Sequence, residues 1–115
     1  MPLISVVIPT RPHESIAVAV NSLMAQAIQD LEIIVIIDHE LRGQSWARNY
    51  GAKQASGKYI LFSDADIDWS RTAIAALIAA RDDFYHHSIY KEWSLGYTYC
   101  SYHLTEKDRI LRTAA

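Results

Sequence analysis

The sequence predicts an α/β protein, a three-layer α/β/α sandwich built on a mainly parallel sheet. Three observations carry this. Apolar runs without polar alternation recur at 3–8, 32–37 and 59–62. Helix-spaced segments follow each of them, at 14–28, 45–55 and 70–81. Each apolar run opens onto polar residues: Pro9-Thr10-Arg11, Asp38-His39-Glu40 and Asp64-Ala65-Asp66. Strands that are apolar on both sides need helices over both faces of the sheet, which repeated strand–helix–strand units supply.

The first run, 3–8, is rich in Val and Ile and reads as a buried strand ended by Pro9. In 14–28, Ile16, Val20, Leu23, Met24 and Ala27 form one apolar stripe at helical spacing. "EIIVII" at 32–37 is a second buried strand, stopped by Asp38. The helix at 45–55 places Ala47, Gly51 and Ala55 four apart, small residues that let it lie close to a sheet. Trp46 is expected to pack against that sheet. Gly57 marks a turn into the third strand, 59–62. Asp68 or Ser70 is placed to cap the alanine-rich helix 70–81. Beyond Asp83 the period weakens. Residues 96–104 alternate loosely, as a further strand does, and 106–113 read as a short closing helix with Ile110 and Leu111 inward.

Composition narrows the function. With 115 residues the chain suits one domain, residues 1–115. A net charge of −2 and the lack of any Lys/Arg run argue against a nucleic-acid partner. No run approaches the ~18 apolar residues of a membrane span, and no secretory leader is visible, so the expected location is cytoplasmic. The single cysteine, Cys100, excludes an internal disulfide or a cysteine zinc cage.

Ligands of open α/β sheets bind beyond the carboxyl ends of the strands, where the polar residues gather. The four glycines form neither a dinucleotide-binding nor a P-loop pattern. A phosphate at this edge would therefore meet carboxylates, which becomes favourable through a divalent cation. Mg²⁺ or Mn²⁺ takes carboxylate and phosphate oxygens together and needs few protein ligands. Asp64-x-Asp66 at a strand end fits such a metal–diphosphate clamp, although D-x-D alone is a weak signal and Asp68 has the simpler role of helix cap.

Taken together, "SVVIPTRP", "DLEIIVIID" and "WARNYGAKQASGKYILFSDAD" resemble, in order and spacing, the family 2 glycosyltransferases, whose fold is the Rossmann-like GT-A type. The resemblance covers residues 4–69. It implies transfer of a sugar from a nucleotide-diphosphate donor, a UDP-sugar favoured over a GDP-sugar, to an acceptor hydroxyl. By position it implies that Pro9 and Thr10 border the base and ribose. Asp38 would accept a hydrogen bond from the base, and Arg48 would lie near the diphosphate. Asp66 would bind Mn²⁺ or Mg²⁺, with Asp64 beside the metal or the ribose. Two departures stand out. Ile37 occupies the place of the family's usual first aspartate, and His39-Glu40 that of a usual Gly-Ser.

The later part that usually brings the acceptor site and general base is largely missing, so a non-catalytic sugar-nucleotide module, or a half-site completed by a partner chain, is the alternative reading. Self-association is expected, because the missing half would leave apolar surface uncovered. Candidate bases are His103, Glu92 and Glu106, none marked by a motif. His86, His87 and His103 are alternative metal ligands or ordinary structural histidines. Tyr97, Tyr99 and Tyr102 read as strand residues rather than a sugar-stacking surface. A nucleotidyl-transfer enzyme would also use metal-bound carboxylates, but its Gly-rich, lysine-bearing loop is not found.

Overall fold

The computed structural model describes residues 2–83 and 105–106. Elements run in the order β1 (Ile4–Thr10), α1 (Ala17–Met24), β2 (Leu31–Ile37), α2 (Gln44–Gln54), β3 (Tyr59–Phe62), α3 (Ala73–Asp83) and β4 (Thr105–Glu106). The sheet order is β2-β1-β3-β4. β1 pairs in parallel with both β2 and β3, and β4 pairs antiparallel with β3. The expected α/β layers are present, and the three parallel strands, β1, β2 and β3, point their carboxyl ends to one edge.

Alternate residues of β1 serve opposite layers. Ile4, Val6 and Ile8 face Ala19 and Leu23 of α1 and Ile74 and Leu77 of α3. On the other face Val7 packs with Ile36, Ile60 and the alanines Ala47, Ala52 and Ala55 of α2 and its end. All seven β1 residues are buried, so its apolar run is the sheet's centre.

The strand does not stop at Pro9, as the sequence suggests, but continues through Thr10, paired to Ile37. The reason is directional. The carbonyl of Val7 accepts from Ser63 N–H on the β3 side, whereas that of Thr10 accepts from Asp38 N–H on the β2 side. Pro9 has the parity of Val7, so its missing N–H falls on the side where β3 has already ended. There proline breaks no ladder bond.

β2 departs from the expected double burial. Five of its residues are half-buried, and Ile37 is 46% exposed, because β2 borders the sheet among the described residues. α1 is shorter than 14–28. Residues 11–14 form a turn, with His13 at φ 70° and Glu14 N–H donating to the Arg11 carbonyl. At the other end the Gln29 side-chain amide donates to the carbonyls of Met24 and Gln26, terminating the helix. Trp46 does pack against the α2 side of the sheet, and it also stacks on Tyr50 at 5.1 Å under the Arg42 guanidinium.

The cap of α3 is not local. Neither Asp68 nor Ser70 supplies it through a side chain; Gln26 Oε1 accepts from Ile74 N–H at 3.1 Å, while Gln26 Nε2 donates to the carbonyls of Ser22 and Ser70. This buried amide fastens α3 to α1. Glu106, expected to begin a helix, lies in β4 opposite Tyr59. Of the other expectations, the remainder of helix 106–113, the strand 96–104, and His86, His87, Glu92 and His103 lie outside the described residues.

Two glycines are required by close approach. A Cβ on Gly51 would overlap Val7 Cγ1 and come within 3.2 Å of Ile36 Cγ1. One on Gly57 would lie 2.7 Å from the backbone N of Ser5. At that turn Glu32 Oε1 accepts from the Ser5 hydroxyl and Ser56 N–H, and Ser5 Oγ in turn accepts from Gly57 N–H at 2.8 Å. This network closes the edge of the sheet opposite the polar strand ends.

Candidate functional site

After β1 and β2 the chain crosses to the other side of β1 to form β3. The order of strands reverses there, which opens a crevice beyond their carboxyl ends. A cavity of about 440 Å³ occupies this edge, lined by Pro9, Thr10, Arg11, Glu14, Asp38 and the start of α2. The strand ends thus bring Pro9, Thr10 and Asp38 together, as the sequence implies.

Asp38 ends β2 and is only 6% exposed. Its Oδ1 accepts from Arg42 N–H and its Oδ2 from Gly43 N–H, each at 2.8 Å. The carboxylate therefore ties the 38–43 loop into shape and delivers the chain to α2. Gly43 sits at φ 108°, backbone that a side chain would strain, and Leu41 at φ 53° is 69% exposed at the cavity wall. Burial pushes the Asp38 carboxyl up, but these two N–H groups and the neighbouring Arg42 and Arg11 cations outweigh it and hold it below its ordinary value.

Glu14, which the sequence reading did not single out, stands on the same wall. Its Oε1 accepts from the Thr10 hydroxyl at 2.8 Å and from Arg11 N–H at 3.1 Å. The Thr10 bond first, and then the Arg11 N–H, hold its carboxyl below the ordinary range, so it is ionised at neutral pH. Nothing in the apolar periodicity marks Glu14. Its only sequence signal is a four-residue separation from the last residue of the first strand.

The β3 end forms a second group. Arg48, one turn into α2, places a guanidinium nitrogen 3.9 Å from Asp64 Oδ1, and its carbon lies 5.8 Å from the centre of the Phe62 ring. Its Nε is buried and has no hydrogen-bond partner among the described residues. Asp64 is half-buried, whereas Asp66 and Asp68 are exposed. The loop bearing them is anchored at both ends of Trp69: its indole N–H donates to Ser63 Oγ, and its backbone N–H to Ser22 Oγ, each at 2.9 Å. The aspartates thus hang from a fixed frame, with Asp66 and Asp68 exposed.

Among the described residues no three His, Cys, Asp or Glu side chains gather as a metal cage. That donor set still suits a hard cation, which needs one or two carboxylates when phosphate oxygens and water complete its shell. The backbone of Glu106, one of the candidate bases, lies in β4. It pairs with Tyr59, the first residue of β3, roughly 10 Å along the strand from Phe62 at the site end.

A doubly wound sheet with carboxylates and an arginine at its switch point makes this an α/β fold with a candidate ligand site at its carboxyl edge. Comparison with known proteins makes this narrower. Residues 37–92 match the model of glycosyl transferase family 2. Similar solved structures are those of Staphylococcus aureus TarS. For TarS 1–349, the identity is 24% and the TM-score 0.62, over 74% of this chain and 33% of that one. TarS 1–349 in complex with UDP-GlcNAc has the same identity and TM-score over 74% and 32%, and the longer TarS structure gives 23% and 0.60 over 74% and 20%. The chain thus spans about a third of the length of the first of these structures. A comparison with curated proteins gives no match. Residues 37–92 thus resemble glycosyl transferase family 2, and the fold is of the GT-A type, similar to that of the TarS structures.

Proposed function

We propose that this protein takes part in glycosyl transfer from a nucleotide-diphosphate sugar, with its carboxyl edge as the donor site. The observation that carries the reading is the placement of Arg48 and Asp64 together at the end of β3, beside the cavity bounded by Thr10 and Asp38. The buried Nε of Arg48, without a partner among the described residues, is a donor for a phosphate oxygen. Asp66, with Asp64, would hold Mn²⁺ or Mg²⁺, which supplies Lewis-acid stabilisation of the departing diphosphate. In the transfer the acceptor hydroxyl oxygen bonds to the anomeric carbon and gives its proton to a general base as the bond to the diphosphate oxygen breaks, and that electron pair stays on the diphosphate. Arg48 offsets the charge that develops there.

The TarS complexes contain UDP-GlcNAc and UDP, which supports a UDP-sugar as donor. The second reading is a donor-binding half-site completed by another chain. Among the described residues β2 borders the sheet and its last residue, Ile37, is exposed, which is where such a partner or a second copy would add.

The test is calorimetric titration with UDP and GDP, with and without Mn²⁺, followed by assay of UDP-sugar hydrolysis and transfer. Metal-dependent UDP binding that Asp66→Ala lowers at least tenfold, with an unchanged melting temperature, is the expected result. Binding without turnover in the isolated chain selects the half-site. Nucleotide binding indifferent to both Mn²⁺ and Asp66→Ala would overturn the metal clamp.

A further inference from the structure

The two carboxylates that line the cavity are committed in different ways. Asp38 takes one backbone bond on each oxygen, from Arg42 N–H and Gly43 N–H, and at 6% exposure it offers a ligand little of its carboxylate. Glu14 takes both of its protein hydrogen bonds on one atom, Oε1. A carboxylate oxygen offers about two acceptor directions, so Oε1 is filled. Oε2 has no partner among the described residues. The carboxylate is also held at two points on the strand end, by the buried Thr10 hydroxyl and by the Arg11 amide, so its free oxygen is preorganised before a ligand arrives.

Resting on the nucleotide-sugar reading above, we propose that Glu14 rather than Asp38 reads the donor's base, its Oε2 accepting the imino N–H of a uracil. The hydrogen-bond count selects the base. The recognition edge of uracil carries one donor, N3–H, between two carbonyl acceptors. Guanine presents two adjacent donors, N1–H and its amino group, which together match two free carboxylate oxygens; Glu14 has one. Cytosine and adenine place a ring-nitrogen lone pair where the N–H is needed, against the negative oxygen. Arg11 lines the same cavity and provides the cationic donor that a flanking uracil carbonyl calls for. The departure at His39-Glu40 is then of little consequence for the base, because recognition comes from the β1 side of the cavity.

Glu14→Gln is the informative change. It can keep the Oε1 acceptor and turns the outward group from acceptor to donor. Dissociation constants would be measured in Mn²⁺ for UDP, N3-methyl-UDP, 2′-deoxy-UDP and CDP, on the wild-type chain, Glu14→Gln and Asp38→Asn. The wild type is expected to bind UDP at least tenfold more tightly than N3-methyl-UDP. Glu14→Gln should erase that ratio and shift preference toward CDP at an unchanged melting temperature. Asp38→Asn should keep the ratio while lowering the melting temperature. The inference is overturned if wild type does not distinguish N3-methyl-UDP. It is equally overturned if the ratio survives Glu14→Gln, or if that change removes discrimination against 2′-deoxy-UDP instead. Failure of the wild type to bind either UDP or GDP would overturn the donor-site reading itself, and this assignment with it.

Discussion

Replacing Gly51 by alanine should destabilise the protein, although alanine is the better helix former. In an open helix the change would gain about 1 kcal/mol. Here the new methyl falls on Val7 Cγ1, with Val7 Cγ2 at 3.3 Å and Ile36 Cγ1 at 3.2 Å. Rotating Val7 only exchanges one methyl for the other, and Val7 is fully buried in the central strand. The helix must therefore back away from the sheet, an overpacking cost of about 1–3 kcal/mol. With the strand unable to yield, the upper part of that range applies, and the net destabilisation is about 1–2 kcal/mol. For a chain of this size that corresponds to a fall in melting temperature of about 4 °C per kcal/mol. Urea unfolding followed by circular dichroism measures it. Val7→Ala should relieve the clash, so the double variant should be at least ~1 kcal/mol more stable than the sum of the single effects. A Gly51→Ala protein as stable as wild type, or strict additivity with Val7→Ala, would refute the reasoning.

Two further predictions concern polar groups that join elements. Gln26→Leu removes the acceptor of the buried Ile74 N–H and the donor to the Ser22 and Ser70 carbonyls; it should cost about 2–3 kcal/mol, and a melting temperature within 2 °C of wild type would contradict this. Burial raises the Glu32 carboxyl, but bonds from Ser5, Ser56 and Gly57 prevail and hold it below its ordinary value of 4.5. A carboxylate depressed on folding stabilises above its unfolded pKa, and that contribution is lost as pH falls through the folded one. The wild-type melting temperature should therefore drop as pH is lowered below about 4.5, and Glu32→Gln should start lower at neutral pH but fall less steeply. Parallel curves for the two proteins would show that Glu32 is not coupled to folding.

Much of the fold was legible because it follows from local patterns. Apolar runs gave three strands to within two residues, and the four-residue spacing of Ala47, Gly51 and Ala55 anticipated the close seat of α2. The carboxyl-edge gathering of Thr10, Asp38 and Asp64 was also legible, since parallel strands share one direction. Other features were not. Where β1 ends depended on which neighbour faces Pro9, a property of the sheet rather than of the proline. The α3 cap came from Gln26, 48 positions away, and no local signal distinguishes it from Asp68 or Ser70.

The site divides in the same way. Sequence by itself determined which residue types stand at the strand ends, because strand length and direction place them there. Only the tertiary structure decided how each carboxylate is occupied. Asp38 is turned inward to hold its loop, Asp64 faces Arg48 across the gap between β3 and α2, and Glu14 keeps one oxygen free of partners among the described residues. Hydrogen bonds are directional and each oxygen accepts few of them, so the role of a carboxylate depends on which donors the fold brings within reach, and that is a property of three-dimensional position.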